Sequence, residues 1–338
     1  MDEPIPHPRE SFDLIGCEEA EAAFSHALAR GRLHHAWLLA GPAGVGKASF
    51  AYRAARRLLG AAPDPARGGL ASAAGDHVCR LIASRAHPDL FVVQRQGEEG
   101  KARRDIPVEE VREIGEFLAK SPSQGGRRIA IIDDADHLNA HGINALLKAV
   151  EEPPAGSVLF LVAASPGALG ATLVSRCAKL RLAPPKESAA RAWLMERASL
   201  DEETAARLLA LASGAPGRAL ALAREGGLQM DEAARAVLSG LPERDEGRLL
   251  ALADQFRGAT GQGRFRLFLE RLAAAVRASA LDEAAAGAQP RRAADLAGAA
   301  SMITALAEEA EAINLDREAV LFTAVSHLET IARARERC

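Results

Sequence analysis

Gly41-Pro-Ala-Gly44-Val-Gly46-Lys47 has the residue types and spacing of a phosphate cradle. The pattern Gly-x-x-x-x-Gly-Lys-[Ser/Thr] is met up to its last letter, where Ala48 stands in place of a hydroxyl. In such a loop Gly41, Gly44 and Gly46 let backbone N–H groups converge on a polyphosphate. Lys47 neutralises the outer charge, and the following hydroxyl ligates magnesium. ATP or ADP is therefore the expected ligand, with the magnesium site one ligand short. Ser49 is an imperfect substitute, because one helical step turns a side chain by about 100°. The loop reads as one that holds nucleotide and turns it over poorly.

The elements that must position this loop are legible on either side of it. Ala36-Trp37-Leu38-Leu39-Ala40 is a short apolar run suited to a buried strand, and residues 49–59 have apolar positions at helical spacing. A second half-site follows at Arg127-Arg128-Ile129-Ala130-Ile131-Ile132-Asp133-Asp134-Ala135-Asp136. It reads as a buried parallel strand delivering carboxylates at its C-terminal end, where open α/β sheets place ligands. Asp133 is the expected partner of a nucleotide-bound metal, through water. Acidic residues after a strand are also ordinary turn formers.

Three further stretches carry a family resemblance. Asn144-Ala-Leu-Leu-Lys148-Ala-Val-Glu151-Glu152-Pro153-Pro154, Phe160-Leu-Val-Ala-Ala164-Ser-Pro166 and Thr172-Leu-Val-Ser175-Arg176-Cys177 together resemble bacterial clamp-loader proteins of the AAA+ class. His87-Pro88-Asp89-Leu90, with Ile106-Pro107-Val108-Glu109-Glu110-Val111-Arg112, is similar to a segment of the delta-prime type rather than of the ATP-hydrolysing gamma/tau type. The likeness covers residues 35–182, with weaker matches at 213–219 and 313–317.

The departures from the family pattern point in one direction. Active motor subunits carry glutamate after the first acidic position, to polarise the attacking water; here the residue is Asp134, one methylene shorter. A misplacement of that order costs about a hundredfold in rate. The polar residue expected at the end of the fourth strand is replaced by Ala163-Ala164, unless water or Ser165 fills the role. Ala48, Asp134 and Ala164 together imply a degenerate ATPase.

By residue type alone Arg176 is a solvated or salt-bridged arginine. The resemblance implies an arginine finger, inserted into the ATP site of a neighbouring subunit to stabilise charge on the transferred phosphoryl group, for which a planar, always charged guanidinium is suited. Likewise Arg218, in Ser213-Gly214-Ala215-Pro216-Gly217-Arg218-Ala219, matches the family's second nucleotide sensor or is an exposed arginine in a first helical turn. Asn144, Leu147, Lys148 and Glu151 share one helix face ending at Pro153-Pro154. The resemblance places that face near the subunit interface and the DNA path, and the default is a structural role, with Lys148 and Glu151 pairing within the helix. Leu146 and Val150 lie on the core flank.

Composition sets outer limits. The chain has 338 residues and a formal net charge of −3, enough for two or three domains and against a generally DNA-coating surface. Local nucleic-acid contact would fall to Arg127 and Arg128, or to Arg53, Arg56 and Arg57, which read equally as solvated faces. The start lacks the regions of a signal peptide, and no apolar run is long enough to span a bilayer, so a cytoplasmic protein without membrane contact is expected. Cys17, Cys79, Cys177 and Cys338 are scattered, without a Cys-x-x-Cys pair. Family members often carry a four-cysteine zinc module before the His-Pro-Asp segment. Here Cys79, with Asp76 and His77, does not complete a tetrahedral set, and no zinc is expected.

Past Leu182 the chain breaks at Ala183-Pro184-Pro185 and becomes rich in Ala, Leu, Glu and Arg, which argues for helices throughout. The expected organisation is an α/β AAA+ P-loop domain with a parallel sheet (1–183), a three-helix lid (184–242) and a C-terminal helical collar (243–338), with a loop at 287–292. The resemblance implies a clamp-loader subunit working with gamma/tau and delta subunits to open a sliding clamp and place it on primed DNA. The rival reading is an autonomous gamma/tau-like ATPase, which intact hydroxyl, glutamate and sensor positions would have favoured. A P-loop kinase or signalling NTPase would leave Ser175-Arg176-Cys177 unexplained.

Overall fold

The computed structural model describes residues 5–95, 103, 105–124, 126–287, 290–312 and 315–336. Cys338, and Ile313 and Asn314 of the last weak match, lie outside them. The chain forms two compact units, Met1–Leu220 and Ala221–Cys338.

The first unit is built on five parallel strands: β1 (Ala36–Ala40), β2 (Leu90–Val93), β3 (Arg128–Ile132), β4 (Ser157–Ala163) and β5 (Ala178–Arg181), in the order β2-β3-β4-β1-β5. The apolar runs of β1, β3 and β4 are buried on both faces, as a parallel sheet covered by helices requires. Side-chain alternation sends Trp37, Leu39, Ile129, Ile131, Phe160 and Val162 to one face. There α1 (Glu18–Ala29) and α2 (Lys47–Leu58) cover them through Phe24 and Phe50. Leu38, Ala130, Ile132, Leu159 and Leu161 face the other way, onto α4 (Val108–Ala119) and α5 (Ala140–Glu151). Leu146 and Val150 of α5 are buried there as expected, and Asn139 caps the helix start by accepting from Gly142 N–H at 2.9 Å. Because all strands run the same way, the segments leaving β1, β3 and β4 emerge at one end of the sheet.

The opposite end is held by a buried ion pair. Asp89, 1 % exposed, accepts from the N–H groups of Ser123 (2.7 Å) and Gln124 (3.1 Å) and lies 3.6 Å from the guanidinium of Arg128. Arg128 also donates to the carbonyls of Ser121 (3.0 Å) and Phe117 (3.3 Å) and sits over the Phe117 ring. Asp89 N–H in turn donates to Nδ1 of His87, just after α3 (His77–Ala83), whose start Asp76 caps. The His-Pro-Asp segment thus fastens β2 to the loop entering β3. Arg53 is likewise internal, paired with Glu21, and Arg56 donates to the carbonyls of Ser11 and Arg9 while stacking over Phe12. Arg57 binds the carbonyl of Ala61. Arg128, Arg53 and Arg56 are therefore structural residues and not a surface for nucleic acid.

After β5 the chain is helical: α7 (Glu187–Ala198), α8 (Glu202–Leu211), α9 (Pro216–Glu225) and α10 (Gly227–Ser239), then α11 (Glu246–Gln255), α12 (Gly258–Ala286), α13 (Pro290–Ala312) and α14 (Arg317–Glu336). Residues 184–242 carry four helices rather than the expected three, because Gly226 (φ +76°) breaks what would be one long helix into α9 and α10. In the second unit α12 packs on α10 and α13. Asp316 caps α14, and Arg317 donates to the carbonyls of Phe256 and Gly258, tying the start of α14 to the α11–α12 corner. Of the loop expected at 287–292, Pro290, Arg291 and Arg292 belong to α13, and residues 288 and 289 lie outside the described ones. Among the described residues no helix is long and apolar enough to cross a membrane.

Candidate functional site

The loop after β1 has the backbone its glycines forecast. Gly41, Gly44 and Gly46 all have positive φ (+153°, +81° and +94°), and Gly46 is the N-cap of α2, so that helix starts at the loop. At Gly44 a Cβ would come within 2.3 Å of the backbone nitrogen of Arg218. Lys47 is buried, and its Nζ donates to the carbonyls of Gly41 (2.7 Å) and Pro42 (2.8 Å), closing the loop on itself. Burial pulls the Lys47 ammonium below its ordinary pKa, against the opposing charges of Asp136, Asp133 and Asp134. Ala48 is the second residue of α2 and carries a methyl where the motif has a hydroxyl.

Asp133 follows β3 directly, with its N–H bonded to Val93 O at 2.9 Å. Burial, then the charge of Asp134, pushes its pKa up to about 6. The Asp134 N–H at 3.1 Å, the Lys47 charge and the Gln94 amide oppose the shift. Asp134 is exposed and left-handed (φ +56°), an uncommon conformation for a non-glycine residue. Lys47, Asp133 and Asp134 therefore meet at the C-terminal end of the sheet. Ala163 ends β4 beside them, and Ala164 follows.

Two residues at this end had no role in the sequence reading. Asp136 accepts from the N–H groups of Ala164 (2.6 Å) and Ser165 (2.8 Å), tying the turn after β3 to the turn after β4. Its only trace in the sequence is a third acidic residue after the strand. Gln94, just past β2, reaches both Asp133 and the Nε2 of His7 (3.0 Å).

Arg218 lies in the first turn of α9, and its backbone and Cβ pack on Gly44, while Gly217 N–H donates to Gly44 O at 2.9 Å. Among the described residues no three His, Cys, Asp or Glu side chains gather into a metal-holding group. Cys79 is buried inside α3.

Arg176 is elsewhere. It follows the short helix α6 (Gly170–Val174) and precedes β5. Since Trp37 and Ala40 of β1 are level with Ala178 and Arg181 of β5, Arg176 sits at the N-terminal end of the sheet and Lys47 beyond the C-terminal end. Four residues of strand separate the two, about 13 Å. Cys177 is buried, with Sγ 3.3 Å from Leu173 O, and Ser175 Oγ donates to Thr172 O at 3.0 Å. The neighbours of Arg176 are thus fastened inward while its own side chain stays 39 % exposed. Its Nη1 donates to Thr172 O (2.8 Å) and its Nη2 pairs with Glu151 (2.8 Å). Glu151 thereby takes a partner outside its helix in place of the expected Lys148.

These features define an α/β P-loop domain with one phosphate loop and a separate exposed arginine edge. The chain belongs to the family described as DNA polymerase III, delta subunit, whose profile matches residues 16–186. It is similar to the DNA polymerase III subunit delta' of Pseudomonas aeruginosa, 36 % identical over 199 residues covering 58 % of each chain. The subunit delta' of Escherichia coli is 35 % identical over 222 residues, 65 % of this chain and 64 % of that one. The DNA polymerase III subunit tau of Salmonella typhimurium is 33 % identical over 177 residues, 52 % of this chain and 26 % of that one. The chain thus spans about three fifths of the length of the delta' relatives it matches.

Proposed function

We propose that this chain is a delta-prime-type subunit of a bacterial DNA polymerase III clamp loader. In this reading it works in the cytoplasm with gamma/tau and delta subunits to place a sliding clamp on primed DNA. It contributes Arg176 to a neighbour's ATP site and is itself a poor ATPase. The observation that carries this is the separation of Arg176 from Lys47: an arginine at the opposite end of a parallel sheet cannot serve its own phosphate loop and is available to another. Residues 243–338 would form the collar that holds the assembly, with the P-loop domain at 1–183 and the lid at 184–242.

The loop fits a nucleotide. Gly41, Gly44 and Gly46 give it the required backbone, and Lys47 stands at its centre. Bound ATP or ADP would meet backbone N–H groups and Lys47, with Arg218 as the proposed sensor from α9. The fit to magnesium is poor, because Ala48 offers no oxygen and Asp133 is the remaining candidate partner. Turnover would further suffer from Asp134 at the glutamate position and Ala164 at the sensor position.

The test is Arg176→Ala in the complex reconstituted with its gamma/tau and delta partners. Fingers supplied in trans are worth roughly 10³ to 10⁵ in rate at one site, and several sites would dilute the loss in total turnover. Assembly by gel filtration is expected to stay normal while clamp- and DNA-stimulated ATPase and clamp loading fall. Arg176→Lys should rescue poorly, since an ammonium cannot reproduce the planar fork. Wild-type loading by a normally assembled Arg176→Ala complex overturns the reading. The second reading, a gamma/tau-like motor, draws on the similarity to the Salmonella tau subunit. It requires steady ATP turnover by the isolated chain.

A further inference from the structure

We infer that Glu151 is a positioning residue for Arg176, holding the guanidinium in the orientation in which it meets a neighbour's phosphate. This rests on the reading of Arg176 as a finger. The pair joins two segments that are 25 residues apart in sequence, and the two contacts of the guanidinium come from different elements. Nη2 is held by the Glu151 carboxylate at the end of α5, and Nη1 by the Thr172 carbonyl in α6. A long side chain with four rotatable bonds is thereby fixed at two of its three nitrogens.

The support beneath Glu151 is itself fixed. His35, just before β1, has its Nε2 2.8 Å from Val150 O, so that ring nitrogen carries the proton and donates to the residue just before Glu151. Glu152 N–H closes the last turn onto Lys148 O at 3.0 Å, and Pro153-Pro154 end the helix. Glu151 thus projects from a helix end anchored to the sheet rather than from a free loop.

The pair is half open to solvent, 39 % exposed at Arg176 and 46 % at Glu151. Ion pairs of that exposure do little for stability, which separates orientation from folding as the purpose of the contact. A guanidinium has five N–H groups. Thr172 takes one from Nη1, Glu151 lies beside Nη2 as an ion pair at 2.8 Å, and no further hydrogen-bond or ion-pair partner of the guanidinium is found among the described residues. The donors needed for an anion remain available while the plane is held, so the carboxylate need not be displaced before the arginine works.

The experiment is steady-state ATPase of the full complex, reconstituted with its gamma/tau and delta subunits, clamp and primed DNA. It compares wild type, Glu151→Ala, Glu151→Gln, Arg176→Ala and the Glu151→Ala/Arg176→Ala double variant. Loss of orientation by about an ångström costs up to about a hundredfold at one site, diluted by the other sites to a kcat roughly tenfold lower for Glu151→Ala, smaller than the Arg176→Ala loss, with KM for ATP within about twofold. Glu151→Gln keeps a polar oxygen of the same shape beside Nη2 without the charge and should lose less. In the Arg176→Ala background Glu151→Ala should add nothing, the mark of two residues acting through one contact. The melting temperature and assembly of the isolated variants should match wild type, and if Glu151→Ala fails to assemble, the isosteric Glu151→Gln carries the comparison. The inference is overturned if kcat is unchanged, if it rises (the carboxylate then restrains the finger), or if the two losses simply add. An unaffected Arg176→Ala complex instead removes the finger reading itself, and the inference with it.

Discussion

The backbone N–H of Gly217 donates to the carbonyl of Gly44 across 2.9 Å, joining the first turn of α9 to the phosphate loop. Both residues must be small. A Cβ on Gly217 would lie 2.8 Å from Gly44 O, and one on Gly44 would lie 2.3 Å from Arg218 N. The loop and the helix start that carries Arg218 therefore form one packed unit, and a change in either is felt by the other.

Gly44→Ala tests that packing. A left-handed non-glycine residue costs about 1–2 kcal/mol before any clash, and displacing the α9 turn adds to it. Urea denaturation should place Gly44→Ala roughly 2–4 kcal/mol below wild type. Gly60→Ala is the control, with φ of +97° and nothing within 4 Å of its Cβ, and should show the backbone cost alone. Equal losses in the two variants would mean that α9 does not press on the loop.

Ala48→Thr restores a hydroxyl at the second residue of α2. Titration of the isolated subunit with fluorescent ADP should show weak magnesium dependence in wild type and a clearly stronger one in the variant. Wild-type turnover should stay well below about 1 per second, the low end of ordinary enzyme rates. Magnesium dependence that is unchanged in Ala48→Thr would place the metal on other ligands.

Asp89→Ala should be among the most damaging single changes away from the phosphate loop. It leaves the Arg128 guanidinium buried without its carboxylate and orphans the N–H groups of Ser123 and Gln124. Breaking a buried pair from one side costs about 3–5 kcal/mol. Asp89→Asn keeps an acceptor oxygen and should cost less. Circular dichroism melts of the two variants check the order, and a melting temperature for Asp89→Ala near wild type would contradict it.

His35 gives a pH dependence with a defined sign. Burial, with the charge of the stacked His34 ring adding to it, lowers its pKa below the ordinary value, while the Val150 carbonyl opposes the shift. As pH falls the unfolded chain binds the proton first, so this contribution is fully present above about pH 6.5 and is lost below it. Burial also lowers His7 and His87, which share the slope, while Asp133, raised to about 6, opposes it in the same window because the folded chain binds that proton first. His35→Gln retains an N–H donor for Val150 O without the titration. Its stability at pH 8 should be near wild type, and its decline between pH 6.5 and 5 shallower. Identical profiles would assign the slope to the other groups that titrate there.

The sequence alone determined the local elements and the chemistry they can carry. Ala36–Ala40 has the apolar run of a buried strand, the glycines and Lys47 have the spacing of a phosphate loop, and Pro153-Pro154 stop α5. These are short-range properties, readable from propensity and period. What the tertiary structure decided is which side chains meet across long stretches of chain. Arg128, Arg53 and Arg56 looked available for nucleic acid because their partners Asp89, Glu21 and Ser11 lie 32 to 45 residues away, beyond any periodicity. Glu151 left Lys148 for Arg176 because the end of α5 and the end of α6 both lie at the N-terminal end of the sheet. Asp136 acquired a purpose only when β4 was laid beside β3. The placement of Arg176 and Lys47 at opposite ends of parallel neighbours is likewise a consequence of strand order and register. Strand order is a global packing solution that no local window encodes, and it sets Arg176 and Lys47 at opposite ends of the sheet.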